Sequence, residues 1–281
     1  MLATQKRQLS KSENCLKIRA KKLESWLHPA DAFVLLYGSH PFAFWLDREH
    51  HPEAPTSVIG GAKGLVEDTD FTELNRVLSV LEIEDVNLPF DFRPGLVGAF
   101  SFERQKDLMM FVDRAIAFDH RSKEIWFVAA METDEQFESW TSAALLRFAL
   151  VGGQLSQYRD RHSGGDVWKP TLRHSGQDYL ALINRAQQYI AAGDVYQLCL
   201  TNEISVQTNV DPLLTFLRLR EQNPAPYSTF MRAGDTSVVC ASPEQFLRAD
   251  NRSISSKPIK GTRRRGADAQ KAQAIILELE K

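Results

Sequence analysis

The chain has 281 residues, with 34 Lys and Arg against 36 Asp and Glu, for a formal net charge of −2. This length suits one large or two modest domains, and 43% apolar with 25% charged residues is an ordinary globular balance. The near-neutral charge argues against a protein that coats nucleic acid, and no apolar run approaches the ~20 residues that span a bilayer.

The start, MLATQKRQLSKSENCLKIRAKK, is basic and polar and lacks the apolar core of a secretory signal. The cysteines, Cys15, Cys199 and Cys240, are odd in number and widely spaced, which fits a reducing compartment and gives no zinc pattern. The expected location is the cytoplasm, with no membrane and no nucleic-acid partner. Along the first part the reading is mainly strand. AFVLLYGS (32–39) and FAFWLD (42–47) are short apolar runs divided by His40 and Pro41, and TSVIGGAKG (56–64) runs into glycine. The segment 70–83 is helical by its spacing of Leu74, Val77, Leu78 and Leu81. GLVGAFSFE (95–103), MMFVDRAIAFDH (109–120) and EIWFVAAME (124–132) are rich in β-branched and aromatic residues between turn formers.

Residues 152–170 change character, with Gly, Ser and charge replacing aliphatics, and read as a linker or long surface loop. The expected organisation is therefore a domain over 1–150, a linker over 151–170, and a second domain from 171 to 281. In that second part Ser175 is a candidate N-cap, Tyr179, Leu182, Ile183, Ala186 and Ile190 mark one helical face, and Gly193 is a C′ stop. Residues 195–208 read as one long strand. Asp211-Pro212 opens a helix that Asn223-Pro224 closes. YSTFMR and TSVVCAS flank a hairpin turn at Ala233-Gly234-Asp235, and EQFLRA and RSISSK flank a second turn at Asp250-Asn251. Meandering strands with interspersed helices make the fold class α+β.

Chemistry concentrates in SKPIKGTRRRG (256–266). A lysine amine attacks only when neutral, and crowding by Lys257, Arg263, Arg264 and Arg265 would lower the proton affinity of Lys260. A two-residue turn at Asp250-Asn251 would set Glu244 opposite Lys257, at the end of the hairpin that leads into Lys260. A carboxyl group beside such an amine suits acid–base work on a leaving hydroxyl. The commoner meaning of such a stretch is a solvated basic face or a phosphate-contacting loop. The histidines His40, His50, His51 and His120 have no metal-like spacing, and GGAKG lacks the GK[ST] of a P-loop.

SPEQFL (242–247) followed by KPIKGT (257–262) resembles the signature of chorismate-binding enzymes. AGDVYQLCLTN (192–202), NPAPYS (223–228), FWLD (44–47), PFDFRPGLVGAFSFE (89–103) and FVDRAIAFDHR (111–121) resemble other family segments in the family's order. The resemblance implies an anthranilate synthase component I-like layered β-sandwich with flanking helices, here incomplete. Because PIKGT carries lysine where anthranilate synthases typically have alanine, it points to the aminodeoxychorismate synthase branch. It then implies that Lys260 attacks chorismate, Glu244 protonates the leaving hydroxyl, and ammonia from a glutamine amidotransferase subunit or domain displaces the lysine. The product, 4-amino-4-deoxychorismate, serves p-aminobenzoate and folate synthesis. Substrate-binding roles carry over to Ser242, Gly261, Thr262, Tyr196 and Gln197, and a possible effector site to Leu36, Ser39, Pro226 and Tyr227.

The resemblance also implies Mg²⁺ on the substrate carboxylate, with its glutamate ligands beyond Lys281. On that ground the chain is expected to be truncated, inactive alone, and to pair with a complementary C-terminal segment. An anthranilate or salicylate/isochorismate synthase relative is the alternative enzyme. A non-catalytic remnant that binds the amidotransferase or an effector is the alternative outside catalysis.

Overall fold

The computed structural model describes residues 16–67, 69–79, 86–102, 106–150, 152–162, 166, 168–250, 253–259 and 273. Its centre is a seven-stranded antiparallel sheet. The strands are β1 (Lys17–Leu23), β2 (Phe42–Asp47), β3 (Thr56–Gly61), β6 (Arg114–Asp119), β7 (Glu124–Met131), β10 (Tyr227–Ala233) and β11 (Thr236–Ser242). Their order across the sheet is β1-β7-β6-β3-β2-β10-β11. Both faces are covered, so these strands carry apolar residues at most positions instead of a strict alternation.

Helices cover one face: α1 (Pro29–Tyr37), α3 (Asp134–Phe148), α4 (Gln154–His162) and α6 (Pro212–Gln222). They supply Phe33, Phe137, Tyr158, Leu213 and Phe216 to a core with Trp45, Ile59, Phe118, Phe127 and Phe230 from the sheet. Trp45 and Phe216 meet edge-on with ring centroids 5.2 Å apart. Burying each of these large side chains contributes about 1.5–3 kcal/mol. The other face meets a hairpin of β4 (Gly95–Ala99) and β5 (Leu108–Val112). There Phe44, Val58, Ala115, Ala117, Val128 and Met231 pack on Met110, Val112 and Phe90. α2 (Phe71–Ser79) buries Leu74 of the expected face, while Leu81 lies outside the described residues.

Local signals in the sequence hold. Ser175 caps α5 (Gly176–Ala192) by accepting from Asp178 N, and Gly193 ends it at φ +83°. Asp211 caps α6 through Leu214 N, with Pro212 at its first turn. Gly234, at φ +62°, makes the β10–β11 turn.

Several expectations change. Residues 32–37 are helical, because His28 caps the segment and Pro29 starts it, so the apolar run feeds a helix face. MMFVDRAIAFDH is two strands that part at Asp113. Within 195–208 the pairing is confined to β9 (Ile204–Ser205), with β8 (Thr171–Leu172), and a single bridge at Thr208. An apolar, β-branched run is a strand only where a neighbour forms a backbone ladder with it; over 195–203 the partners are scattered, Tyr179 Oη donating to Leu200 O at 3.0 Å and Arg173 N to Glu203 O at 2.9 Å. In the glycine-rich 152–170 segment, 154–162 form α4, where Tyr158 is buried. β10, β11 and α6 share sheet and core with elements that precede this segment. α5 stays apart from that core. None of its residues is fully buried, but Tyr179, Leu182, Ile183 and Ala186 of the expected face are its half-buried positions, whereas Ile190 is exposed.

Candidate active-site hairpin

β11 runs through Ser242 into the short connection that carries Glu244, and a hairpin of β12 (Gln245–Ala249) and β13 (Ile254–Lys257) follows. Glu244 is half-buried. The Ser242 hydroxyl folds over it, donating to Glu244 O at 3.1 Å and accepting from Glu244 N at 3.4 Å. This local turn fixes where the carboxylate leaves the backbone.

The expected register shifts by two at the turn. Ala249 pairs with Ile254 and Arg248 with Ser255, so the turn is 250–253 and not a two-residue Asp250-Asn251 turn. The Asp250 carboxylate closes it, accepting from Ser253 N at 2.9 Å. An irregularity between Gln245 and Arg248 then sets Gln245, instead of Glu244, opposite Lys257. Glu244 remains next to that pair, so SPEQF and KP lie side by side at one end of the hairpin. Lys260, Gly261 and Thr262 lie outside the described residues.

Side chains from earlier in the chain meet this end. Lys257 Nζ reaches Glu53 Oε2 at 2.6 Å, and Arg248 reaches Asp91 at 2.6 Å. Tyr227 donates to Gln245 Oε1 at 3.2 Å and lies 3.2 Å from His51 Nε2. Arg48 stacks over the Tyr227 ring at 5.0 Å and bonds the carbonyls of Asp47 and Ser228. His51 has no metal-like spacing in the sequence and nothing else there marks it, because Tyr227 lies 176 residues away.

Behind the hairpin lies a buried polar knot. Arg220 is 8% exposed and Asp47 2%. Arg220 Nε donates to Asp47 Oδ2 at 2.7 Å, and its other arm reaches Glu49. Ser57 donates to Asp47 Oδ1 at 3.0 Å and lies 2.7 Å from His120 Nε2. Serine sits between the acid and the histidine here, so the order of a hydrolytic triad, with histidine in the middle, is absent. Burial lowers the proton affinity of His120. The His28 ring, with Nε2 3.7 Å from Glu49 Oε2, and the Arg220 guanidinium hold the Glu49 carboxyl well below the usual range against the opposing effect of burial. The knot ties β2 and β3 to α6 and serves structure.

The other expected residues are spread out. Tyr196, at 94% exposure, and Gln197 lie on the exposed segment after α5. Leu36 packs beneath α1 against the helix-side core, and Ser39 is exposed just after α1. Tyr227 and Ser242 are direct cross-strand partners on β10 and β11, which joins an expected effector residue to an expected substrate residue. Pro226 immediately precedes that pair. One concavity is lined by Leu23, Trp26, Leu145 and Phe148 and another by Arg185, Gln188, Tyr189 and Asp194; neither includes Glu244. Among the described residues no three His, Cys, Asp or Glu side chains converge as a metal site. No helix among them is long and apolar enough to cross a membrane.

The layered α+β fold is that of anthranilate synthase component I. The Streptococcus pneumoniae structure of that protein superposes with a TM-score of 0.59 at 19% identity, over 97% of this chain and 65% of that one. The Escherichia coli menaquinone-specific isochorismate synthase MenF superposes at 0.54 with 12% identity, over 99% and 63%. The chain belongs to the chorismate binding enzyme family, whose pattern matches residues 50–281. It is 32% identical to an aminodeoxychorismate synthase of Streptomyces griseus, over 94% of this chain and 42% of that protein. It is 30% identical to anthranilate synthase component 1 of Thermus thermophilus, over 82% and 45%. The chain thus spans less than half the length of these relatives.

Proposed function

We propose that the chain carries the nucleophile and acid of an aminodeoxychorismate synthase component I, acting on chorismate and ammonia. The observation that carries this reading is the hairpin. It sets Glu244 beside the Gln245–Lys257 pair, three residues before Lys260, inside the span matched by the chorismate binding family. Neutral Lys260 bonds through Nζ to C2 of chorismate, the ring double bonds shift, and the C4–O bond breaks. Glu244 gives its proton to the departing hydroxyl, and water leaves. Ammonia then adds at C4, the double bonds return, and the C2–N bond to lysine breaks. Lysine is regenerated and 4-amino-4-deoxychorismate is released for p-aminobenzoate and folate synthesis. Splitting one displacement into two easier ones is the usual gain of covalent catalysis. A glutamine amidotransferase supplies the ammonia. When bound, Mg²⁺ would supply Lewis-acid neutralisation of the substrate carboxylate.

The test is mass spectrometry of the protein after incubation with chorismate, without ammonia. The expected result is a gain equal to chorismate minus water on the peptide containing Lys260, absent from Lys260→Ala. Anthranilate formed without that adduct would support the second reading, an anthranilate-type enzyme, which the Thermus thermophilus relative favours. Stimulation of a glutaminase with neither adduct nor product would overturn both.

A further inference from the structure

We propose that His51 and Tyr227 are positioning residues that hold the β12–β13 hairpin, and Glu244 with it, through a directional hydrogen-bond relay ending on Gln245. The proposal deepens the chorismate reading and rests on it in taking Glu244 as the acid.

The direction of the relay follows from the backbone. His51 Nδ1 lies 3.2 Å from Glu53 N and 2.9 Å from Ala54 N. Backbone N–H groups only donate, so Nδ1 is the bare nitrogen and the neutral ring carries its proton on Nε2. Nε2–H then donates to Tyr227 Oη at 3.2 Å, which leaves the Tyr227 hydroxyl proton for Gln245 Oε1 at 3.2 Å. Arg48 holds the phenol ring from above. Gln245 follows Glu244 directly and faces Lys257 across the hairpin, at the irregular step in its register.

The 51–54 loop grips the hairpin a second time, because Glu53 pairs with Lys257. Such grips matter here because the hairpin has little burial of its own: Phe246 is 84% and Ile254 76% exposed. Three cations act on His51, namely Arg48, Lys257 and Arg248, against one carboxylate, Glu53. Burial and then Arg48 lower its proton affinity, which keeps the ring neutral at pH 7. Protonation places a hydrogen on Nδ1 facing two N–H donors, so acid opens the 51–54 loop and releases both grips.

The experiment is NMR on the intact chain. Histidine ¹⁵N shifts at neutral pH read the His51 tautomer, amide exchange reads Gln245 and Lys257, and the Glu244 side-chain carboxyl ¹³C shift reads the acid. The expected result is an Nε2–H tautomer in wild type, Tyr227→Phe and Glu53→Gln. Exchange at Gln245 and Lys257 becomes roughly tenfold faster in Tyr227→Phe, as expected for loss of one net hydrogen bond, and up to about fivefold faster in Glu53→Gln, where the lost ion pair is exposed. The Glu244 signal moves in Tyr227→Phe, and Glu53→Asp restores slow exchange. An Nδ1–H tautomer, unchanged exchange, or an unmoved Glu244 signal in Tyr227→Phe would each overturn the proposal. None of these readouts needs chorismate, so failure of the catalytic reading registers separately in the adduct test.

Discussion

Replacing Arg220 with alanine removes the cation at the centre of the buried knot. Asp47, 2% exposed, then keeps only the Ser57 hydroxyl and the nearby Glu49 N–H, and it loses the 2.7 Å bond from Arg220 Nε. Leaving a buried carboxylate without its cation costs about 3–5 kcal/mol. The guanidinium also lies 4.9 Å from the centre of the Trp45 ring, which contributes about 0.5–2 kcal/mol more at a desolvated site. Domains of this kind are stable by only about 5–15 kcal/mol, so the variant should sit near the edge of folding. With a urea slope of about 3 kcal/mol per M, the midpoint should fall by roughly 1.2–2.3 M. Equilibrium urea unfolding followed by tryptophan fluorescence measures this, since Trp45 lies inside the knot. A double-mutant cycle with Asp47→Asn should return a coupling of about 2 kcal/mol or more. A midpoint loss below about 0.3 M, or a coupling near zero, would refute the idea that this ion pair joins α6 to β2.

Further outcomes follow from the same structure. Glu49 has its proton affinity depressed in the fold, so its contribution is present above the ordinary carboxyl pKa of about 4.3 and is lost as pH falls below it. Glu49→Gln should flatten that acid limb in a pH series of melting temperatures. His120 is also depressed, by burial, so the unfolded chain takes up its proton first and stability falls as pH drops below about 6.5. His120→Gln should remove that inflection. Gly60→Ala places a methyl 2.6 Å from the Phe44 ring, which is fully buried. Such overpacking costs about 1–3 kcal/mol, readable as a lower melting temperature. Glu244→Gln should still form the Lys260 adduct, but about 10²–10⁴-fold more slowly, as loss of a general acid predicts; adduct formation at the wild-type rate would remove Glu244 from the chemistry.

Much of the local structure was readable because its causes are local. The caps at Ser175 and Asp211, the stop at Gly193 and the turn at Gly234 each depend on one or two residues whose backbone preferences hold almost anywhere. The helix at 29–37 is masked in the sequence by its apolar run, because the signals that start it, the cap at His28 and Pro29, lie just before that run. The strand expected at 195–208 failed for the opposite reason: its composition suits a sheet, but pairing is non-local, and it is reduced to Ile204–Ser205 and a bridge at Thr208. In the hairpin, a four-residue turn in place of a two-residue one moves the register by two, and the irregularity before Arg248 takes one back, which exchanges Glu244 for Gln245 opposite Lys257.

The sequence alone determined the family, through SPEQF, KPIKGT and the upstream segments in their order, and it named Glu244 and Lys260 as the residues of interest. Only the tertiary structure decided what surrounds them. His51, Glu53, Arg48 and Tyr227 converge on the hairpin because β2 and β10 are neighbours in one sheet, although some 180 residues separate them along the chain. Motifs survive in a one-dimensional string because each is a run of adjacent residues. A contact between distant strands depends on the summed packing of the whole core, which no short stretch of sequence contains.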